Sequence, residues 1–379
     1  MLNLGRFKTA RGLSLGDNII VEVYLPRMLV ERPKMMEVMS EGTELGTMYT
    51  LSSNFMLNNF FGFSMNMLWG AINSIQLMVK LPLLRKIYFP ASAQSFVKPL
   101  TIIASFDILN EYDIIGEMFY YPDFNLVDLG LTGFEEVGLD SWYFTQNLGT
   151  LFLIILVYIV GIILAGALLL VKISGFLDKI KQKLVNTLFW NSVLRLLIEA
   201  YFDILLGLGI TYTVMTSKES KQPIPGVMFL PGVLISNIFA GFFLLVCICL
   251  PFFIIIFYLC STNKWQEKDW QQKWGSVLDG LDKESESNSK SYSKKWMLFF
   301  PVFMLVRRVA FVISVFSLSE MLVFQLIVLL GSAIINSVYL LALWPHTSRR
   351  DSLLEVVNEF TNLVLLYHLM CFSDLVPQY

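Results

Sequence analysis

Charge is scarce in this sequence: only 15% of its 379 residues are Asp, Glu, Lys or Arg, and it has four cysteines and two histidines. Cys247, Cys249, Cys260 and Cys371 all lie in or at the edge of apolar stretches, and the histidines are only His346 and His368. That inventory argues against a disulfide framework and against a metal site. The net charge of −2, with no Lys/Arg run interleaved with aromatics outside the apolar stretches, argues against nucleic acid as a partner. HExxH, GxSxG and paired aspartates in facing apolar segments are missing. Intramembrane catalysis needs one such constellation. His368, next to Tyr367, reads as a packed aromatic rather than a base. The expectation is therefore a chain that is no enzyme and holds no cofactor. Between Gln222 and Asn263 there is no charged residue at all, which excludes an arginine-rich voltage sensor in that segment. Arg6, Lys8 and Arg11 have no apolar run behind them, so the first residues do not make a signal peptide. Either a later helix starts insertion or the sequence is a fragment.

What is abundant is apolar surface. Hydrophobic residues make up 55% of the chain and mean hydropathy is +0.62, more than one soluble core can hide. A spanning helix needs roughly 20 apolar residues. Six stretches qualify: Leu148 to Val171, Phe189 to Met215, Phe229 to Leu259, Trp296 to Ser317, Met321 to Trp344 and Leu353 to Phe372. A seventh, Phe55 to Val79, is free of charge but rich in Asn and Gly. The fold class that follows is an all-α polytopic transmembrane bundle of about seven helices. Its parts are an N-terminal segment (1–53), the first membrane segment (54–84), an acidic extracellular loop (85–146), helices two to four (147–260), a cytoplasmic loop (261–295) and helices five to seven (296–376).

Orientation follows from Lys172, Lys179, Lys181 and Lys183, with Arg349 and Arg350, which mark the cytoplasmic side. Lys80, Arg85 and Lys86 object, because they follow the first segment on the side assigned as external. That segment is then re-entrant or preceded by another helix. The external loop carries Asp107, Glu111, Asp113, Glu117, Asp123, Asp128, Glu135, Glu136 and Asp140 against Lys98. It reads as a solvated ectodomain surface or as a cation-concentrating vestibule. The cytoplasmic loop opens with Trp265, Lys268, Trp270, Lys273 and Trp274, a mixture suited to the headgroup zone. It then turns serine-rich from Ser285 to Ser293, in the manner of a flexible linker or a phosphorylated segment.

Charges inside apolar helices cost on the order of 3 kcal/mol each on insertion scales and should have partners. In the third segment Asn191, Arg195, Glu199 and Asp203 recur every four residues and form one stripe. In the fifth, Arg307 and Arg308 sit about halfway along. In the last, Glu355, Asn358, Glu359 and Asn362 form a polar face. Three arginines thus meet four carboxylates. Such a set is either an interhelical salt-bridge network that fixes packing or an ion path. In the first segment Asn59, Gly62, Asn66, Gly70 and Asn73 share one face, as close helix packing requires.

Several stretches also resemble a known family in order. Met67 to Gln76 (MLWGAINSIQ) leading to Leu81-Pro82-Leu83 is similar to the signature of a TRP-like membrane domain, that is, like transient-receptor-potential and polycystin channels. That domain lies at the C-terminal end of giant ciliate surface proteins. The similarity continues through Gly133-Phe134, Phe189 to Arg195 with Glu199 and Tyr201, Val277 to Leu281, Val306-Arg307-Arg308, Asn358-Glu359, Tyr367-His368 and Phe372-Ser373-Asp374. It implies a plasma or ciliary membrane and, by analogy, cation conduction. A conduction filter needs a re-entrant stretch between two helices, and Ser317 to Glu320 is too short for one. The expectation is a structural or anchoring subunit whose partners are the bilayer and other membrane or extracellular subunits, or further copies of itself. The alternative is a non-voltage-gated cation channel formed by an oligomer. A transporter with its site at Glu199 and Asp203 would show internal repeats, and none is evident.

Overall fold

The computed structural model describes residues 76–84, 119, 134, 137, 139, 141–170, 193–216, 230–261, 274, 281, 296, 299–319, 321–346 and 348–372. Among them are seven α-helices: α1 (Phe144–Asn147), α2 (Thr150–Leu170), α3 (Val193–Thr216), α4 (Pro231–Ser261), α5 (Phe300–Ser317), α6 (Leu322–Leu343) and α7 (Arg349–Leu369). Two 3-10 turns, Leu81–Leu83 and Met370–Phe372, complete the order. No strand occurs among the described residues, and only one isolated antiparallel bridge joins Leu281 to His346.

Among the described residues, three helices are long and apolar enough to cross a membrane: Pro231–Phe257 within α4, all of α5 and all of α6. The helix faces show why the apolar residues are so many. On α4, Ala240, Phe243, Cys247, Leu250 and Ile254 recur at three- and four-residue steps and are buried, while Leu234, Ile238, Phe242, Leu245, Phe252 and Ile256 recur at similar steps and are exposed. A water-facing helix would put polar residues on that second stripe. An outer face this apolar calls for lipid or protein against it.

Helix α7 goes further and reverses the usual arrangement. Its buried seam is Ser352, Glu355, Glu359, Asn362, Leu366 and Leu369, whereas Leu353, Val357, Phe360, Val364 and Tyr367 are exposed. The seam steps by three and four residues, and so does its counterpart on α6, Leu322, Leu326, Leu329, Ala333, Asn336 and Leu340. Two such seams pack along their whole length, and among the described residues α6 with α7 is the most extensive helix pair. Ser348 caps the start of α7 by accepting from Arg350 N at 3.2 Å. Trp344, in the left-handed region at φ 44°, ends α6.

Helix α3 is the axis. It is buried nearly all round from Leu194 to Thr211 and packs against α1, α4 and α5. Close approach to α5 depends on Gly209, where a Cβ would fall 2.2 Å from the Phe316 ring. Phe202 meets Phe311 edge to face at 5.2 Å on the same interface. On the other side Tyr201 donates to the carbonyl of Cys247 at 2.9 Å. That carbonyl lies four residues before Pro251, which sits inside α4 without an N–H to offer it. Between α5 and α6 the chain turns within Leu318 to Met321, and Gln325 Nε2 donates to Ser314 O at 2.9 Å, tying the two helix ends together.

Candidate functional site: a buried network of charged side chains

The charged residues expected in the third, fifth and last segments are all inside the bundle. Arg195, Glu199, Asp203, Arg307, Arg308, Glu355, Glu359 and Asn362 are each less than 10% exposed, and Asn358 is half-buried at the margin of its seam. Asn191 lies outside the described residues, as do Asn59, Gly62, Asn66, Gly70 and Asn73 and all the acids of the external loop.

The centre of the network joins three helices. Arg307 of α5 holds Glu359 of α7 with two parallel bonds, Nη1 to Oε2 at 2.6 Å and Nη2 to Oε1 at 2.5 Å. Asn336 of α6 donates its Nδ2 to the same Oε2 at 2.5 Å. A planar guanidinium matches a carboxylate in this way and fixes both position and orientation. The two arginines diverge, as neighbours on a helix must. Arg308 turns towards α3, donating to Ile198 O at 2.7 Å and to Gln76 Oε1 at 3.1 Å. On α3 itself, Arg195 Nε lies 3.8 Å from Glu199 Oε1, one turn on.

One partner in the network was not expected there. Lys80, read as a loop cation that disturbed the orientation rule, is fully buried and lies 3.4 Å from Asp203 Oδ1. Its Nζ also donates to Val137 O at 3.3 Å. It is therefore a member of the interior network and has no place in a count of loop charges. With Lys80, four cations face the four carboxylates. Gln76 and Lys80 stand one helical turn apart, so a single face of this segment reaches both Arg308 and Asp203. The Leu81–Leu83 turn that follows is closed by Leu83 N to Lys80 O at 3.1 Å, with Pro82 in its first positions. Leu77, Leu81, Leu83 and Leu84 pack with Phe134, Val137 and Leu139 against α3 and α5.

Chemically, the arrangement neutralises charge and orients helices. Among the described residues no group of three or more His, Cys, Asp or Glu side chains could hold a metal ion, and Cys247, Cys249 and Cys371 are free thiols. His368 Nδ1 lies 2.7 Å from Val364 O, one turn back on its own exposed helix face. Compared with protein-family models, with curated proteins and with solved structures, the chain matches none.

Proposed function

We propose that this chain is an integral membrane protein of about seven spanning helices that acts as a structural or anchoring subunit of a surface or ciliary membrane assembly. The observation that carries the reading is the Arg307–Glu359–Asn336 junction, where one carboxylate is occupied by groups from two neighbouring helices. Charges engaged so closely serve packing. An ion path needs ligands that can exchange partners. The ciliate TRP-like resemblance suggests the surface or ciliary setting, and an anchoring role calls for other membrane or extracellular subunits as partners.

A non-voltage-gated cation channel is the second reading, and the run of buried Glu355, Glu359 and Asn362 along one helix seam favours it. The tight link from Leu318 to Met321 speaks against a filter between α5 and α6. Planar-bilayer recording of the purified protein in calcium and in potassium separates the two. Silence from well-folded protein is the expected result. Unitary currents whose selectivity shifts in Glu199→Gln or Glu359→Gln, with folding intact, would overturn the anchor.

A further inference from the structure

Glu355 is the carboxylate that the network leaves over. It is 6% exposed, and among the described residues it forms neither a hydrogen bond nor an ion pair. Its neighbour one turn on, Glu359, already engages Arg307 and Asn336. The remaining cations point elsewhere: Arg308 to Ile198 and Gln76, Lys80 to Asp203, Arg195 along α3. Helix α6 brings no charged side chain to the seam, and Tyr339 is its single titratable residue. From α5 come Arg307 and Arg308, and on α7 itself Arg349, Arg350, Asp351 and Glu359. His346, in the α6–α7 connection, stands edge to face with Phe300.

The register between the helices sets the surroundings. Asn336 meets Glu359, and α6 runs antiparallel to α7, so buried Leu340 is level with Glu355. Three residues before Glu355 on the same seam, the Ser352 hydroxyl is buried, and its Oγ has no hydrogen-bond partner. An ionised carboxylate is strongly disfavoured in such a place, whereas the neutral acid has an O–H to donate and a carbonyl to accept.

From this geometry we propose that Glu355 is a proton-binding site of the bundle, a carboxylic acid at neutral pH with the Ser352 hydroxyl beside it. The proposal is independent of the anchoring role, because it concerns what one side chain binds and not whether the protein conducts. Losing the proton sets two carboxylates one turn apart on a seam where one guanidinium, Arg307, faces them. The α6–α7 interface is the element that responds.

The test is infrared spectroscopy of the full chain in phosphatidylcholine vesicles, wild type minus Glu355→Gln, across a pH series. The expected result is a protonated-carboxyl carbonyl band at neutral pH that the variant lacks and that disappears on the alkaline side. Modification by dicyclohexylcarbodiimide gives a second readout. The acid's proton passes to a reagent nitrogen while its oxygen bonds the central carbon, and the acyl group then migrates to nitrogen with nothing leaving. Labelling should map to Glu355, and its rate should fall about tenfold per pH unit once the proton is lost. In Glu359→Gln the freed Arg307 should ionise Glu355 and suppress both signals. No difference band at neutral pH overturns the proposal. So does a band or a labelling rate that sodium or potassium abolishes at fixed pH, since the ligand would then be a metal cation.

Discussion

The hydroxyl of Tyr201 donates to the carbonyl of Cys247 over 2.9 Å, in place of the N–H that Pro251 lacks. A side chain of α3 thus completes the backbone of α4, as an apolar surrounding demands of every freed carbonyl. Tyr201→Phe keeps the ring and removes the donor, so it should cost about 1–2 kcal/mol. Pro251→Ala restores the backbone donor, and in that background the cost of Tyr201→Phe should shrink towards zero. Thermal unfolding of the four proteins in detergent measures the coupling.

Lys80 and Asp203 form a pair buried from solvent. Lys80→Met or Asp203→Asn alone should destabilise by about 3–5 kcal/mol, because each leaves a buried charge uncompensated. The double substitution Lys80→Met with Asp203→Leu should recover most of that loss. If the single substitutions are silent in a melting experiment, segment 76–84 does not hold the place against α3 described above.

Arginine at position 307 is required for its shape as well as its charge. Arg307→Lys keeps the charge but cannot make two parallel bonds to Glu359. It should therefore lose about 2 kcal/mol or more, within the range for hydrogen bonds to charged groups. Asn336→Ala removes one donor to the same carboxylate and should cost about 1 kcal/mol. A double-mutant cycle between positions 307 and 336 should show non-additivity, since both side chains share one oxygen.

Glycines in this bundle differ by what faces them. Gly209→Ala places a methyl 2.2 Å from the Phe316 ring and should destabilise by about 1–3 kcal/mol, the range for overpacking. Phe316→Leu should relieve much of it. Gly161→Ala and Gly331→Ala meet nothing within 4 Å and should be neutral or stabilise by up to about 1 kcal/mol through helix propensity. A chemical-denaturation series across the three positions discriminates them directly.

The helices were legible because long apolar runs leave little choice of structure. Phe229 to Leu259 became α4 at Pro231–Ser261, and Met321 to Trp344 became α6 at Leu322–Leu343. Helix α7 began earlier than its apolar run, at Arg349, because Ser348 caps it and a charged first turn is no obstacle to helix formation. Periodicity also placed Glu199, Asp203, Glu355 and Glu359 inside. It could not name their partners, since a pair such as Lys80 with Asp203 depends on how distant segments dock. Asn336, Gln325 and Ser352 were missed for a related reason. A lone amide or hydroxyl in an apolar helix looks incidental until the group opposite it is known. Three cations against four carboxylates was the one available hint that a further buried cation existed.

The inverted faces of α7 bear on how the membrane bundle proposed here would be made. A helix with Arg349, Arg350, Asp351, Glu355 and Glu359 in its first three turns partitions poorly from the translocon into lipid by itself, since a carboxylate at mid-helix costs about 2.5–3.5 kcal/mol on insertion scales. Docked on Arg307 and Asn336, part of that penalty is offset before the helix meets the hydrocarbon. Helices α5 and α6 leave the ribosome first and present those two groups, so the order of synthesis makes them the receptor for α7. Truncation before Arg349 then leaves Arg307 without the carboxylate that holds it.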